Sequence, residues 1–250
     1  MKIKVEVRNL FAGYGSPPII RGLSFFLTEG SVLAVFGKNG SGKTTLLRVL
    51  SGILKPISGE VFFDGENIFK MDSFSRSKKI SYLPQFYESE VPFTVYEMVE
   101  LGLYPYRKVK KDMVDSVLNL FDLKKIRNKK FTELSGGQKQ KVLLARSIIK
   151  DPEILILDEP NLHLDFENTF FIFDTIVSKV KKEGKILIFV LHDINIILRF
   201  SDYLLLLKEG GEFLFTEKGK IFEKTDYLKD FINVDFEFFN FEGRNYFLIK

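Results

Sequence analysis

Continuous apolar runs recur along the chain and predict buried β-strands. They occupy residues 31–36, 153–159 and 185–193, and shorter strand patterns occur at 59–65 and 79–85. Runs without alternation are typical of strands that are buried on both faces of a parallel sheet. Because helical patterns separate these strands, we expect an α/β core with a mixed, mostly parallel sheet and flanking helices.

The helical patterns are concentrated in one insert. A helix is predicted at 44–54, and from 86 to 150 the hydrophobic period changes to about 3.6 residues, which predicts a helical insert. Thr94 and Glu97 have the spacing of a capping box at a helix start. A further amphipathic helix is predicted from 166 to Gly184. In residues 111–123 the residues predicted to share one helix face are Met113, Val114, Val117, Leu118 and Phe121.

Alternating patterns near both ends predict antiparallel β-structure in addition to the core. Residues 3–7 alternate with period two, as in an exposed edge strand. Residues 202–216 predict a hairpin that turns at Gly210 and Gly211, and residues 234–250 predict a second hairpin with turn residues at 240–244. We therefore expect an antiparallel β subdomain and, over 218–250, a C-terminal extension that forms a β-hairpin.

Composition narrows the class of protein. The chain has 250 residues, 45% hydrophobic and 28% charged, which is typical of a soluble globular protein. The net charge is +4 and the basic residues are scattered, so solvated helix faces are favoured over a nucleic-acid footprint. Without cysteine, disulfides, thiolate metal sites and cysteine nucleophiles are excluded. The N-terminus resembles a strand rather than a signal peptide, and no apolar run approaches the ~20 residues that span a bilayer, so a cytoplasmic protein is expected.

The strongest motif is GKNGSGKT at residues 37–44. It matches G-x-x-x-x-G-K-S/T between a buried strand and a helix, the context of a phosphate-binding P-loop. Glycines let successive backbone N–H groups surround the β- and γ-phosphates, Lys43 adds a positive charge, and the Thr44 hydroxyl can ligate Mg²⁺. The strand–loop–helix context argues against a chance glycine-rich turn, so an ATP or GTP site is predicted. The predicted nucleotide-binding residues in this loop are Gly37, Asn39, Gly40, Ser41, Gly42, Lys43, Thr44 and Thr45.

Polar residues at three other strand ends complete the candidate site. Asp158 ends the run ILILD, where its carboxylate can hold Mg²⁺, and Glu159 can polarise the attacking water or, alternatively, cap a helix. His192 follows a strand and can reach the γ-phosphate, although a histidine there is more often structural. Gln85 can contact Mg²⁺ or water, although glutamines in loops are usually solvated. The predicted catalytic residues are Glu159, His192, Lys43 and Gln85, and the predicted Mg²⁺ ligands are Thr44, Gln85 and Asp158.

A second phosphate-type motif begins at Ser135. The sequence LSGGQ at 134–138 places two glycines at a helix start, where backbone N–H groups and the helix dipole favour an anion. The P-loop already encloses one triphosphate, so the economical interpretation is that Ser135, Gly136 and Gly137 bind the γ-phosphate held by another copy of the chain. An ordinary glycine-containing N-cap is the alternative.

Together these motifs resemble the nucleotide-binding subunits of ABC transporters. The P-loop, LSGGQ and ILILDEP occur in that order, and the resemblance covers about residues 3–217. It implies an ATP- and Mg²⁺-dependent ATPase of P-loop NTPase fold, with a core at 1–85 and 151–217. It also implies that Tyr14 stacks on adenine, that Gln85 senses a membrane partner and that His192 is a switch histidine. Across an ATP-dependent homodimer, Ser135, Gly136, Gly137, Gln138 and Asp165 would act in trans.

The resemblance extends to the transport partners. Residues 94–108 and 192–210 are similar to ATPases of importers for iron–siderophore, haem or cobalamin. For the cargo of this chain's importer, zinc, manganese or another metal is the alternative. The resemblance implies two transmembrane permease subunits, an indirect substrate-binding protein, no nucleic acid, and a place at the cytoplasmic face of the membrane. Lys141 stands where the family often has arginine, and NLHLD at 161–165 replaces the commoner small-residue start. The residues expected to dock on the permease, within 86–110, are Phe86, Tyr87, Val91, Phe93, Tyr104 and Tyr106.

Three other classes remain as alternatives. A soluble ABC-type ATPase acting on nucleic acid or ribosomes usually carries a long insertion, a zinc module or a second cassette, which this sequence lacks. A P-loop kinase or GTPase would leave LSGGQ and His192 unexplained. An ATP-gated scaffold without turnover would not need Glu159 and His192.

Overall fold

The computed structural model describes residues 2–87, 91–106, 111–224, 228–229, 236–241 and 244–249. Its strands are β1 Ile3–Ala12, β2 Ile20–Thr28, β3 Val32–Phe36, β4 Ser58–Phe63, β5 Glu66–Asn67, β6 Ile80–Leu83, β7 Ile154–Asp158, β8 Ile186–Val190, β9 Tyr203–Leu207, β10 Phe213–Glu217, β11 Phe236–Phe241 and β12 Arg244–Ile249. Its α-helices are α1 Lys43–Leu50, α2 Ser73–Lys79, α3 Val95–Glu100, α4 Lys111–Leu120, α5 Gly136–Ile148, α6 Phe166–Glu183 and α7 Ile194–Phe200.

The main sheet contains the strands predicted from the continuous apolar runs. Its order is β6–β7–β8–β3–β9–β10. The first five strands are parallel, and β10 pairs antiparallel with β9, which confirms the mixed, mostly parallel sheet. Because parallel strands end at one edge, the segments after β3, β6, β7 and β8 come together there.

A smaller antiparallel sheet has the order β2–β1–β4–β5. The prediction of an edge strand at 3–7 is wrong, because β1 pairs on both sides: Val5 lies opposite Leu27 of β2 and Phe63 of β4. Alternation of apolar and polar residues indicates that one face of a strand is buried. It does not indicate whether the strand has a neighbour on one side or on both. β2 was not predicted, and register shifts between β1 and β2 interrupt its alternation near Leu23.

Each face of the main sheet has its own hydrophobic core. Alternate residues of β3 divide between them: Val32 and Ala34 join the core under the helices, whereas Leu33 and Val35 join the core under the antiparallel sheet. The first core contains apolar side chains of α3, α4, α5, α6 and α7. The second core contains those of α1, β1, β2 and β4. The P-loop helix α1 therefore lies between the two sheets.

The predicted helical insert is present as α3, α4 and α5. The capping box at α3 is confirmed, since the Glu97 N–H donates to Thr94 Oγ1 at 3.2 Å and Thr94 N–H donates to Glu97 Oε2 at 2.8 Å. The apolar face predicted for α4 is only partly buried, since Met113 is 37% exposed. The helix buries only a narrow stripe centred on Val114 and Leu118, both fully buried.

Both predicted hairpins are present. β9 and β10 pair around Gly210 and Gly211, each with φ of 90°, a conformation that favours glycine. β11 and β12 pair from Phe236–Ile249 to Phe241–Arg244, and residues 242–243 of the predicted turn lie outside the described residues. None of the helices in the part of the chain described here has the length and apolarity needed to cross a membrane.

Candidate nucleotide site

The P-loop lies between the end of β3 and the start of α1, as predicted. Gly40 and Gly42 have φ of 85° and 97°, which residues with a β-carbon rarely adopt. A β-carbon on Gly42 would also stand 2.6 Å from Ile19 Cγ2, and one on Gly37 would collide with the Leu207 carbonyl oxygen. The glycines are thus required by the path of this loop.

Lys43 is buried and its ammonium group lies inside the loop. Lys43 Nζ donates hydrogen bonds to the carbonyl oxygens of Gly37 at 2.8 Å and Lys38 at 2.9 Å. Burial lowers the pKa of Lys43, while the charges of Glu159 and Asp158 oppose that shift. A cation held this way is positioned to exchange two backbone acceptors for phosphate oxygens.

The loop also contains a buried hydroxyl whose hydrogen-bonding capacity is unused. Ser41 is 1% exposed, and Ser41 Oγ has no hydrogen-bond partner in the described part of the chain. A buried polar atom without a partner is unfavourable unless a ligand satisfies it. The hydroxyl, the open backbone at the glycines and the Lys43 ammonium together fit a polyphosphate.

Asp158 ends β7 beside the start of α1 and is buried. Burial raises its pKa, and so does the neighbouring charge of Glu159, whereas the Thr44 hydroxyl opposes the shift by hydrogen bonding. Tyr82 Oη donates to Asp158 Oδ2 at 3.3 Å, and burial together with Asp158 raises the pKa of Tyr82 to about 12. A carboxylate and a hydroxyl in contact are hard oxygen donors of the kind that Mg²⁺ accepts, so Asp158 and Thr44 fit that ion.

Glu159 is held from two sides. Gln85 Nε2 donates to Glu159 Oε2 at 2.7 Å, and His192 Nε2 lies 2.9 Å from Glu159 Oε1, where it acts as the donor because a carboxylate only accepts. Glu159 has φ of 51°, and its N–H donates to the carbonyl of Val190 at 3.2 Å. Three of the predicted site residues, from three strand ends, therefore form one hydrogen-bonded cluster.

A pocket of about 390 Å³ lies over the P-loop. The residues that line it are Ile19, Asn39, Gly40, Gly42, Lys43, Thr44, Thr45, Gln85 and Glu159. Tyr14 does not line the pocket; its side chain is exposed and its hydroxyl accepts a 2.7 Å hydrogen bond from Arg48 Nη1 of α1.

The LSGGQ segment lies apart from this pocket, since none of its residues lines it. Ser135 is the N-cap of α5 and forms a capping box with Gln138: Gln138 N–H donates to Ser135 Oγ at 3.4 Å, and Ser135 N–H donates to Gln138 Oε1 at 3.2 Å. Asp165 caps α6 and accepts from Asn168 N–H at 2.7 Å. Ser135 and Asp165 are exposed, so within one chain they do not join the P-loop site.

Sequence reasoning missed several residues that hold the site together. Tyr82 contacts Asp158, Arg48 contacts Tyr14, and Gln140 Nε2 donates to the carbonyl of Pro160 at 2.9 Å. Each contact joins segments far apart in the chain. The one signal in the sequence for these contacts was Gln140, because a glutamine on the buried side of a helix needs a hydrogen-bond partner.

The fold and the site define a P-loop nucleotide-binding protein. A family model described as "ABC transporter" matches residues 20–162. The chain is 35% identical to a petrobactin import ATP-binding protein of Bacillus subtilis, covering 82% of this chain and 84% of the relative. It is also 35% identical to a probable iron chelatin transport ATP-binding protein of Helicobacter pylori, covering 84% and 86%.

Two solved structures are similar over most of their length. One is a metal-chelate type ABC transporter in an inward-facing conformation, with a TM-score of 0.80, 26% identity, and coverage of 99% of this chain and 97% of the other. The other is a dimeric bacterial ABC transporter cassette, with a TM-score of 0.78, 27% identity, and coverage of 86% and 98%. This chain belongs to the ABC transporter family and carries its ATP-binding domain, which is an ATPase domain.

Proposed function

We propose that this chain is the ATP-hydrolysing subunit of an importer for an iron–siderophore or a related metal chelate. It would act as an ATP-dependent homodimer at the cytoplasmic face of a membrane, bound to two permease subunits that receive cargo from a substrate-binding protein. We assign residues 1–217 to the ATPase domain and residues 218–250 to a C-terminal extension.

The observation that carries the hydrolytic part of the proposal is the position of Glu159. Its carboxylate lies in the P-loop pocket, between Gln85 and His192. An acid that served only as a helix cap would not need two side-chain partners facing the phosphate-binding loop. We assign Glu159 as the base that polarises the attacking water, and Gln85 and His192 as the groups that orient it.

Phosphate and metal binding are assigned to the loop and to the end of β7. Lys43, Ser41 Oγ and the backbone N–H groups from Gly40 to Thr45 would bind the β- and γ-phosphates. Thr44, Asp158 and Gln85 would hold Mg²⁺. When bound, Mg²⁺ neutralises charge that develops on the transferred phosphoryl group. Tyr14, held by Arg48, would stack on adenine.

The position of the LSGGQ segment, with Ser135 and Gly136 exposed, supports a site shared between two chains. Ser135, Gly136, Gly137 and Gln138 lie outside the pocket of their own chain. We propose that they contact the γ-phosphate held by a second copy, with Asp165 crossing the same interface. A similar cassette of solved structure is dimeric. Nucleotide would then join the two copies, and hydrolysis would release them.

Exposed aromatic residues support the permease contact. Phe86 is 72% exposed and Tyr104 is 84% exposed, and Val91 and Tyr106 are also exposed, whereas Tyr87 and Phe93 are half-buried. Residues 88–90 and 107–110 of the predicted docking region lie outside the described residues. The cargo assignment follows the relatives' names, petrobactin and iron chelatin, and the metal-chelate type of the similar transporter.

The hydrolytic part is tested by measuring Mg²⁺-dependent phosphate release from ATP by the purified full chain. The cargo is tested by co-expressing the chain with a permease encoded beside it, and by measuring uptake of an iron–siderophore against haem and cobalamin in vesicles. Turnover with ATP and selective uptake of the siderophore are expected. If the chain releases no phosphate from ATP, the assignment as an ATPase is refuted. If the vesicles take up haem or cobalamin instead of the siderophore, the cargo assignment is refuted.

A further inference from the structure

The C-terminal hairpin of β11 and β12 packs against helix α7, which begins two residues after His192. Phe236 and Phe247, one on each strand, are buried, and their ring centroids lie 4.3 Å apart. Both belong to the hydrophobic core under the helices, to which Ile197 and Leu198 of α7 also belong. The hairpin is therefore an integral part of the core and not a tail on the surface.

Side chains of the hairpin and of α7 also meet around a small cavity. Phe238 and Phe247 of the hairpin line it together with Ile194 and Leu198 of α7, and its volume is about 10 Å³. A cavity of this size is close to the smallest that can hold one water molecule. The hairpin thus lies against the first turns of α7 with little free space between them.

A polar side chain of α7 pairs with the backbone of β12. Phe247 N–H donates to Asn195 Oδ1 at 2.8 Å, and Asn195 Nδ2 donates to the Phe247 carbonyl at 3.3 Å. A primary amide carries an acceptor oxygen and a donor nitrogen side by side, so it can bind both backbone groups of one residue as a neighbouring strand would. Asn195 thereby fastens the first turn of α7 to β12 by two hydrogen bonds.

The same turn of α7 fixes the chain next to His192. Asp193 is the N-cap of α7, and its Oδ1 accepts from Asn195 N–H at 2.8 Å and from Ile196 N–H at 3.2 Å. His192 directly precedes this cap, and its Nε2 lies 2.9 Å from Glu159 Oε1. Since only two residues separate His192 from Asn195, a shift of this turn moves the imidazole relative to Glu159.

We propose that Asn195 is a positioning residue, through which the C-terminal hairpin holds His192 in place against Glu159. The inference rests on the proposed function, in which His192 and Gln85 orient Glu159. Neither Asn195 nor any described residue of the hairpin lines the P-loop pocket. The hairpin therefore acts on the chemical step and not on the binding of ATP, although it lies outside the segment assigned to the ATPase domain.

The test compares Asn195→Ala with Asn119→Ala in the full chain. Asn195→Ala removes both hydrogen bonds to Phe247. Because alanine has a higher helix propensity than asparagine, the substitution does not weaken α7 itself. Asn119→Ala is the matched control, since it makes the same change at an exposed position of a different helix, α4. The measurements are equilibrium ATP binding, KM and kcat for phosphate release, and the NMR signals of the imidazole groups.

For Asn195→Ala we expect ATP affinity and KM close to those of the wild type. We expect kcat to fall by roughly 10- to 100-fold, because a displacement of about 1 Å can cost about 100-fold. Asn119→Ala should keep the wild-type kcat. His163 and His192 are the only histidines in the sequence, so the imidazole signal of His192 should shift in Asn195→Ala while that of His163 stays. The inference is overturned if kcat and the His192 signal are unchanged, or if Asn119→Ala loses kcat equally.

An effect of the hairpin on the P-loop would give a different result. Phe36 lines the same cavity as Phe238, and it directly precedes Gly37 of the P-loop. If Asn195→Ala weakens ATP binding as much as it lowers kcat, the hairpin supports the P-loop and not His192, and the inference is overturned.

A double-mutant cycle tests whether Asn195 acts through His192. His192→Ala should lower the rate of single-turnover phosphate release by itself. In that background Asn195→Ala should cost several-fold less than in the wild type, because no imidazole is left to position. An equal loss in both backgrounds would overturn the role of Asn195 alone. If His192→Ala releases phosphate at the wild-type rate, or if the wild type releases none, the proposed function fails and the inference fails with it.

Discussion

Glu159→Gln removes the proposed base while keeping its surroundings. Gln85 Nε2 donates to one carboxylate oxygen, and His192 Nε2 contacts the other. An amide has one acceptor oxygen and one donor nitrogen, so the new side chain can still accept from Gln85. It can also donate to His192 once the imidazole proton is on the other ring nitrogen. Loss of activity would then report lost basicity rather than a collapsed pocket.

The expected loss of hydrolysis rate in Glu159→Gln follows from the proposed role of Glu159 as a general base. A positioned general base contributes about 10²–10⁴-fold to a rate, which corresponds to about 3–5 kcal/mol of activation free energy. Nucleotide binding should be retained or improved, because a negative charge facing the phosphates is removed. The pKa of Asp158 should move back toward its usual range, since burial would remain but the charge of Glu159 would not.

The assay combines single-turnover phosphate release with equilibrium ATP binding. Glu153→Gln is the matched control: it makes the same change at the opposite end of β7, where Glu153 pairs with Lys4 at 3.5 Å. We expect phosphate release to be lost only in Glu159→Gln, with ATP binding kept in both. Release within about threefold of the wild type in Glu159→Gln would refute the assignment, because a general base is worth at least ~100-fold.

Three further predictions concern binding and stability. Lys43→Met should weaken ATP binding by roughly 10- to 150-fold in calorimetry, because a charge-assisted hydrogen bond is worth about 1.5–3 kcal/mol, and unchanged affinity would contradict it. Tyr14→Ala should weaken ATP but not pyrophosphate, because stacking on a base is worth about 1–3 kcal/mol, and equal losses would contradict it. Burial lowers the pKa of Lys150 from 10.5 to about 8, so the unfolded chain binds more protons between these values and stability rises with pH there. Denaturant unfolding should show that Lys150→Met lacks this rise of at most about 3 kcal/mol, and an identical pH profile would refute it.

Local signals were sufficient for the parts of the site that lie within one segment. The P-loop could be predicted because β3, the glycines and α1 are consecutive. The strand ends at Asp158 and His192 could be predicted because fully buried parallel strands give unbroken apolar runs. LSGGQ allowed two interpretations, and Ser135 is indeed a helix N-cap, which leaves its phosphate role as a proposal.

What could not be predicted depends on which segments meet in space. β1 alternates as an edge strand would, yet it pairs with both β2 and β4. Gln140 looks like any polar helix residue until Pro160 is placed beside it. Tyr82 contacts Asp158 from a neighbouring strand, 76 residues away in sequence. These contacts are set by sheet order and helix packing, which a single sequence does not encode in any short pattern.

Complementation between two inactive chains tests the shared site most directly. Ser135→Arg should keep its own P-loop, Glu159 and ATP binding but lack a usable LSGGQ, whereas Lys43→Met should keep LSGGQ but lack a competent P-loop. Each variant alone should hydrolyse almost no ATP. On mixing, heterodimers contain one complete site, with the P-loop of the first chain and Ser135 of the second, so phosphate release should reappear and scale with the heterodimer fraction. A mixture that stays inactive, or a Ser135→Arg chain that hydrolyses ATP by itself, would contradict the account.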